Sequence, residues 1–241
     1  MKAVALIPAR FGATRFPGKL LAPLGGKSVI RRTYEAVAGT GLFAQVVVVC
    51  DSEAIEQEIT RHGGLAVRST RPHESGTDRI AEVAVTLSAD VVLNVQGDTP
   101  FMRREPLAQL LAVFAEDGPR AAQVASLMRP LVDESVVADP NCVKVVVDLA
   151  MNALLFSRAA IPYPRDRDVA VRYFEHVGVY AFRREALLAF AALPPGPLER
   201  AEKIEALRYL EHGMRIRMVI TDLPGVEIDT PGDLARAERL L

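Results

Sequence analysis

DVVLNVQGDTP, Asp90 to Pro100, runs through strand-forming residues and then stops on Gly-Asp-Thr-Pro. The nearly continuous apolar run from Val91 to Val95 suits a strand covered on both faces. Runs of the same kind occur at AVALI (3–7), QVVVVC (45–50), LAVR (65–68), AQVASLM (122–128), VKVVVD (143–148) and MRIRMVI (214–220). Helix-length patterns lie between the early runs, at Lys27 to Ala38, Ser52 to His62, Thr77 to Leu87 and Arg104 to Phe114. This alternation predicts an α/β fold, sheet-centred and mostly parallel, with helices on both faces. In such sheets ligands sit beyond the carboxyl ends of the strands, which is where Asp98 falls. The Asp-Thr tip returns in VEIDTPGDL (226–234), where Asp229 follows a second short apolar run. Either the chain repeats a favoured turn, or two strand ends deliver two carboxylates to one place.

A chain of 241 residues is long enough for one large domain, here 1–241, with a substantial core. The stretch 148–198 breaks the strand–helix rhythm with short runs and the charged loop IPYPRDRD, and reads as an inserted β-rich lobe. Beyond it, LPPGP (193–197) reads as a turn leading into a helix from Glu199 to His212. A formal net charge of −1 gives no bulk attraction for nucleic acid. Cys50 and Cys142 stand apart inside apolar runs, which predicts buried free thiols rather than a disulfide or a zinc site. MKAVALI is too short for a signal peptide before Pro8, and no run approaches the roughly 20 apolar residues of a membrane span. A cytoplasmic protein without membrane partners is expected.

The loop after the first strand, PARFGATRFPGKLLAPLGGKS (8–28), is longer than most connections in compact domains. From Met1 to Tyr34 there are seven Lys and Arg and no Asp or Glu, so an anionic ligand is expected at this strand's end. A Walker A loop fails on spacing, because Gly26-Lys27-Ser28 would need a glycine where Leu21 stands, and Gly18-Lys19 is followed by Leu20. A dinucleotide fingerprint fails as well, since Gly39-Thr40-Gly41 precedes its strand. What remains is Arg10, Arg15 and Lys19, interleaved with Gly12, Pro17 and Gly18. Arginine forks match phosphate geometry, lysine supplies a point charge, and glycine lets backbone approach phosphate oxygens, so a triphosphate suits the loop.

PARFGATRFPGKLL resembles the nucleotide-binding signature of the cytidylyltransferases that activate acidic sugars, with Thr14 as its hydroxyl residue. HESGTDR (73–79), NVQGDTP (94–100), PNCVKVV (140–146), FSRAAIPYPRDR (156–167), HVGVYAF (176–182), GPLERAEKIEALR (196–208) and GVEIDTPGDL (225–234) then resemble, in order, the 3-deoxy-manno-octulosonate (Kdo) cytidylyltransferase, or CMP-Kdo synthetase, family. The resemblance implies a nucleotidyltransferase fold, a homodimer joined through 148–198, and transfer of CMP from CTP to Kdo with release of pyrophosphate, supplying lipopolysaccharide biosynthesis. It implies that Ala9, Arg10, Arg15, Lys19, Ser75 and Gly76 bind CTP, and that Asp98 and Asp229 bind Mg²⁺. Arg15 and Lys19, with the two aspartates, are then the catalytic set. Arg79, Gln96, Arg158, His176, Tyr180, Glu199 and Glu202 are implied on the sugar. The family's Gln-Gly-Asp-Glu-Pro block has Thr99 at its Glu position here.

Plainer roles compete at several positions. Thr230 and Pro231 make a good helix start, so Asp229 could belong to a turn alone. Ser75 or Thr77 could cap a helix, and Glu199 and Glu202 share a helix face as in any salt-bridged helix. Alternative functions are a cytidylyltransferase for 8-amino-Kdo or sialic acid, or a non-catalytic nucleotide-sensing relative.

Overall fold

The computed structural model describes residues 1–12, 15–115, 121–166, 168–223 and 226–241; Thr14 lies outside them. At its centre is β1 (Ala3–Ala9), every residue of which is buried. Ala3, Ala5, Ile7 and Ala9 pack into one hydrophobic layer while Val4 and Leu6 pack into the other. The period of two that normally separates core from solvent here separates two cores, which is why the run is continuously apolar.

A two-stranded hairpin, β2 (Pro23–Leu24) and β3 (Lys27–Ser28), precedes α1 (Val29–Ala38). The helix therefore starts two residues later than its pattern suggested, because Ser28 caps it by accepting from Arg31 N. Next come β4 (Gln45–Cys50), α2 (Glu53–Thr60), β5 (Leu65–Arg68), α3 (Gly76–Ala84), β6 (Val91–Asn94) and α4 (Arg104–Ala112). They are followed by β7 (Val124–Leu131), α5 (Glu134–Ala138), β8 (Lys144–Val147), β9 (Ala153–Ser157), β10 (Tyr173–Arg183) and α6 (Arg184–Ala191). The chain closes with α7 (Pro197–Glu202), α8 (Ala206–Glu211), β11 (Ile216–Ile220) and α9 (Pro231–Glu238).

Among the described residues the central sheet runs β11-β7-β10-β6-β1-β4-β5. Its contacts are parallel except where β10 meets β6 and β7. The α/β expectation holds, with helices on both faces. Two details differ. Lys144–Val147 is not a parallel strand but forms an antiparallel hairpin with β9, because Asp148 Oδ1 accepts from Ala150 N and Asn152 N and turns the chain back at once. The stretch 148–198 also divides. β9 belongs to that hairpin, whereas HVGVYAF lies inside β10, an interior strand of the main sheet.

The expected helix from Glu199 to His212 is two helices. Lys203 takes a left-handed conformation (φ 55°) and ends α7, and the break lets Ile204 enter the core.

Candidate active site

The turn after β6 sets Asp98. Val95 N still reaches Leu6 O at 3.1 Å, and the chain then bends so that Thr99 Oγ1 donates to Gln96 O at 2.6 Å. Gly97 is needed for close approach, since a Cβ there would lie 3.0 Å from both Pro8 O and the Ile30 side chain. Thr33 Oγ1 donates to Gly97 O at 3.0 Å and holds the turn from α1. The second carboxylate arrives because Ile228 is fully buried and its N–H donates to Asp98 O at 3.0 Å, stitching the segment before α9 onto this turn. Asp229 follows at once. Thr230 and Asp233 form a capping box on α9, with Pro231 in the first turn, so the helix-start reading of Asp-Thr-Pro is correct too. Cap and carboxylate placement are one device.

Lys19 joins the pair. Its Nζ lies 2.5 Å from Asp98 Oδ2 and 2.8 Å from Asp229 Oδ1, and Arg15 donates to Asp229 Oδ2 at 2.8 Å. Burial opposes charge on Lys19, but the charges and hydrogen bonds of the two aspartates outweigh it and hold its pKa above the ordinary value. The basic loop and both strand-end acids thus meet at one point.

Two cavities open from this point. One, of about 380 Å³, brings together Ala9, Arg10, Arg15, Lys19, Ser75 and Gly76 beside Asp98 and Asp229. Ser75 lines this cavity and also caps α3, accepting from Asp78 N at 3.1 Å. Gln96 and Arg79 line this same cavity. Arg79 is already held, donating to Asp51 Oδ2 at 3.0 Å and Ser69 Oγ at 2.8 Å, while Asp51 Oδ1 accepts from Phe11 N. Asp51 therefore ties the basic loop to the end of β4.

The second cavity, of about 590 Å³, shares Arg15 and Asp229 with the first and reaches His176, Glu175 and Glu227. His176 Nε2 lies 2.9 Å from Ser126 Oγ, and its ring packs edge-on against Phe156 and Tyr180. Burial lowers its pKa to about 4, so it is neutral at pH 7. Tyr180 is buried, and burial, then the nearby charges of Glu205 and Glu227, holds its phenol well above the ordinary value. Glu227 is open to solvent at the residue level yet walled in by the cavity. Partial loss of hydration, then repulsion from Asp98, Asp229 and Glu175, shifts its carboxyl upward, against the nearby Lys19 charge.

The family model described as Cytidylyltransferase matches residues 4–216. The chain is 54% identical over 241 residues to the 3-deoxy-manno-octulosonate cytidylyltransferase of Flavobacterium johnsoniae, covering 100% of this chain and 99% of that one. It belongs to the cytidylyltransferase family. The protein of the same name from Christiangramia forsetii is 51% identical, covering 99% of this chain and 96% of its own. Among solved structures, a CMP:2-keto-3-deoxy-manno-octonic acid synthetase complexed with CTP superimposes with a TM-score of 0.93 at 40% identity, covering 100% of this chain and 98% of that one.

Four residues implied on the sugar line neither cavity of this cytidylyltransferase: Tyr180, which packs edge-on against His176, and Arg158, Glu199 and Glu202. Glu199 accepts a two-pronged bond from Arg208, at 2.7 and 2.6 Å. Glu202 accepts from Ser157 Oγ at 2.7 Å and Arg158 N at 2.6 Å, and Arg158 Nε donates back to Glu202 O at 2.7 Å. These pairs fasten α7 to α8 and to β9. Glu205 does line the first cavity, and it accepts from Thr77 Oγ1. Burial raises its pKa, against hydrogen bonds from Thr77 and Ser75. Glu199 and Glu202 lie before the break at Lys203, and Glu205, just beyond it, is the one that lines the cleft. Glu227 carried a readable signal: it stands two residues before Asp229 in an extended stretch, so the two share a face.

Asp98 and Asp229 suit a divalent cation. Their oxygens converge on one ammonium nitrogen, and Mg²⁺ is commonly held by one or two carboxylates with water and phosphate oxygens completing its shell. Among the described residues no group of three or more His, Cys, Asp or Glu is placed to hold a metal.

Proposed function

We propose that this cytidylyltransferase transfers CMP from CTP to the anomeric hydroxyl of Kdo, releasing pyrophosphate. The observation that carries the reading is the junction at Lys19, where the basic loop and two converging aspartates stand between two cavities. The fit to a solved CTP complex, and curated relatives named for Kdo at more than half identity, support both substrates.

CTP fits the first cavity, its phosphates facing Arg10, Arg15 and Lys19 and its base facing the backbone at Ala9. Kdo fits the second, with its anomeric oxygen directed past Asp229 toward the α-phosphorus. That oxygen forms a bond to phosphorus, the bond to the β-phosphate's bridging oxygen breaks, and the hydroxyl proton leaves to solvent. Phosphoryl-transfer catalysis of this kind is mostly positioning and charge stabilisation. Arg15 and Lys19 neutralise charge that accumulates on the departing pyrophosphate, while neutral His176 shapes the acceptor wall without adding charge. Asp98 and Asp229 would hold Mg²⁺, which would supply Lewis-acid polarisation when bound. Thr99 leaves the cleft without a carboxylate at that position, its hydroxyl being turned back onto Gln96 O.

The same reading assigns the protein to the cytoplasm, as a source of CMP-Kdo for lipopolysaccharide biosynthesis. No helix among the described residues is long and apolar enough to cross a membrane. It also assigns a homodimer, for which Leu154, Leu155, Tyr163 and Val169, exposed within 148–198, offer apolar surface. Light scattering measures that state. Pyrophosphate release, with each of the four nucleoside triphosphates crossed with Kdo, 8-amino-Kdo and sialic acid, tests the reaction. Turnover is expected with CTP and Kdo. Its absence there, or faster turnover with another sugar, overturns the reading.

A further inference from the structure

We propose that Glu227 is an acceptor-binding residue, its carboxylate taking hydrogen bonds from hydroxyls of the acidic sugar in the second cavity. The inference rests on the Kdo reading above and concerns which wall of the cleft grips the acceptor.

The other polar groups of that cavity are largely engaged. Arg129 bonds Glu175 with two of its nitrogens, Arg236 pairs with Asp233, and Arg15 pairs with Asp229. Thr99 Oγ1 is used on Gln96 O, and His176 Nε2 on Ser126. Glu227 stands apart, with no hydrogen bond or ion pair to any described residue while it lines the cavity. No donor among the described residues reaches its oxygens, and a polyol brings several. Hydroxyl-to-carboxylate bonds are among the stronger ones, so the match is chemically specific.

Its position is fixed rather than incidental. The buried Ile228 side chain and the bond from Ile228 N to Asp98 O clamp the extended segment, so Glu227 and Asp229 project to one side of it. Opposite stands the irregularity in β10 between Val177 and Tyr180, which sets Gly178 against the cleft. A Cβ on Gly178 would lie 3.7 Å from Glu227 Oε1 and 3.9 Å from Gln96 Cγ. With hydrogen in place of a side chain, the gap between Glu227 and Gln96 stays open for a ligand. Asp229 thus faces the reacting end of the acceptor, and Glu227 reaches the rest of it from the same strand of chain.

The test is steady-state pyrophosphate release by the full chain and its Glu227→Gln and Glu227→Asp variants, varying Kdo and CTP separately. Thermal melts check the fold, and calorimetric titration with Kdo supplies a second reading on Glu227→Ala. Glu227→Gln is expected to raise KM for Kdo about tenfold, with KM for CTP within about twofold, and Glu227→Asp to recover part of the loss. Equal effects on both substrates, or a KM for Kdo unchanged in Glu227→Gln while the wild type is active, overturn the inference alone. A Glu227→Gln variant that loses Mn²⁺ affinity while keeping its KM for Kdo overturns it in favour of a metal role. A wild type that releases no pyrophosphate from CTP and Kdo overturns the parent reading and this one with it.

Discussion

The Lys19 ammonium lies 2.5 Å from Asp98 and 2.8 Å from Asp229, so a cation belonging to the chain occupies the point where the two carboxylates converge. A divalent ion would have to compete with it until a triphosphate draws Lys19 away. Lys19→Met removes that competitor, leaving Asp98 without its ion-pair partner and Asp229 paired with Arg15 alone. Mn²⁺ binding without nucleotide, followed by electron paramagnetic resonance, is expected to tighten about tenfold in the variant while CTP binding weakens. Equal Mn²⁺ affinity in the two proteins would mean that Lys19 does not guard the site.

Asp98→Asn keeps the shape of the side chain and removes its charge. The turn around it is held by main-chain bonds from Thr99 N and Ile228 N and by Thr99 Oγ1, none of which needs the carboxylate. Pyrophosphate release is expected to fall by about 10²–10³-fold or more, with the melting temperature nearly unchanged. Turnover at the wild-type rate would remove Asp98 from the mechanism. Asp229→Asn is expected to act alike and also to free Arg15, which donates to Asp229 Oδ2 at 2.8 Å.

His176 ties stability to pH. Its folded pKa is about 4 because burial disfavours the imidazolium, against an ordinary value of 6.5. Between those values the unfolded chain binds the proton and the folded chain does not, so stability rises with pH across the window. The contribution is complete above about pH 6.5, is lost as pH falls toward about 4, and amounts to roughly 3 kcal/mol. Urea unfolding between about pH 7 and pH 5 should show this slope in the wild type and a shallower one in His176→Asn. Parallel slopes would place the imidazole in a solvated setting.

Most of the sheet, and the positions of both aspartates, were legible because they rest on local pattern. Val46, Val48 and Cys50 against Val47 and Val49 is a period-two run with a core on each face, and such runs announce themselves. Pairing is less local. HVGVYAF reads as a strand wherever it sits, and only the return of the chain after the β8–β9 hairpin brings it antiparallel between β6 and β7. The basic loop was visible as charge without acid, and its acids were in plain view at 98 and 229. Glu199, Glu202 and Arg158 were assigned by resemblance to the sugar, and there the backbone decided otherwise. Lys203 in the left-handed region breaks the helix, and no spacing rule flags a lysine for that conformation.

Glu199 and Arg208 provide the last check, since the geometry gives them a structural part. The guanidinium is almost wholly buried, lies 4.5 Å above the Phe190 ring, and takes both Glu199 oxygens. Burial opposes its charge, and the Glu199 bonds outweigh that and raise its pKa. Glu199→Gln leaves a buried cation without its counter-charge, with Asp78 Oδ1 at 3.4 Å as its remaining acidic partner. A loss of about 3 kcal/mol in urea unfolding is expected, with KM for Kdo unchanged in the folded fraction. The reverse result, a stable protein with a raised KM for Kdo, would return Glu199 to the sugar and require α7 to move toward the cleft when substrate binds.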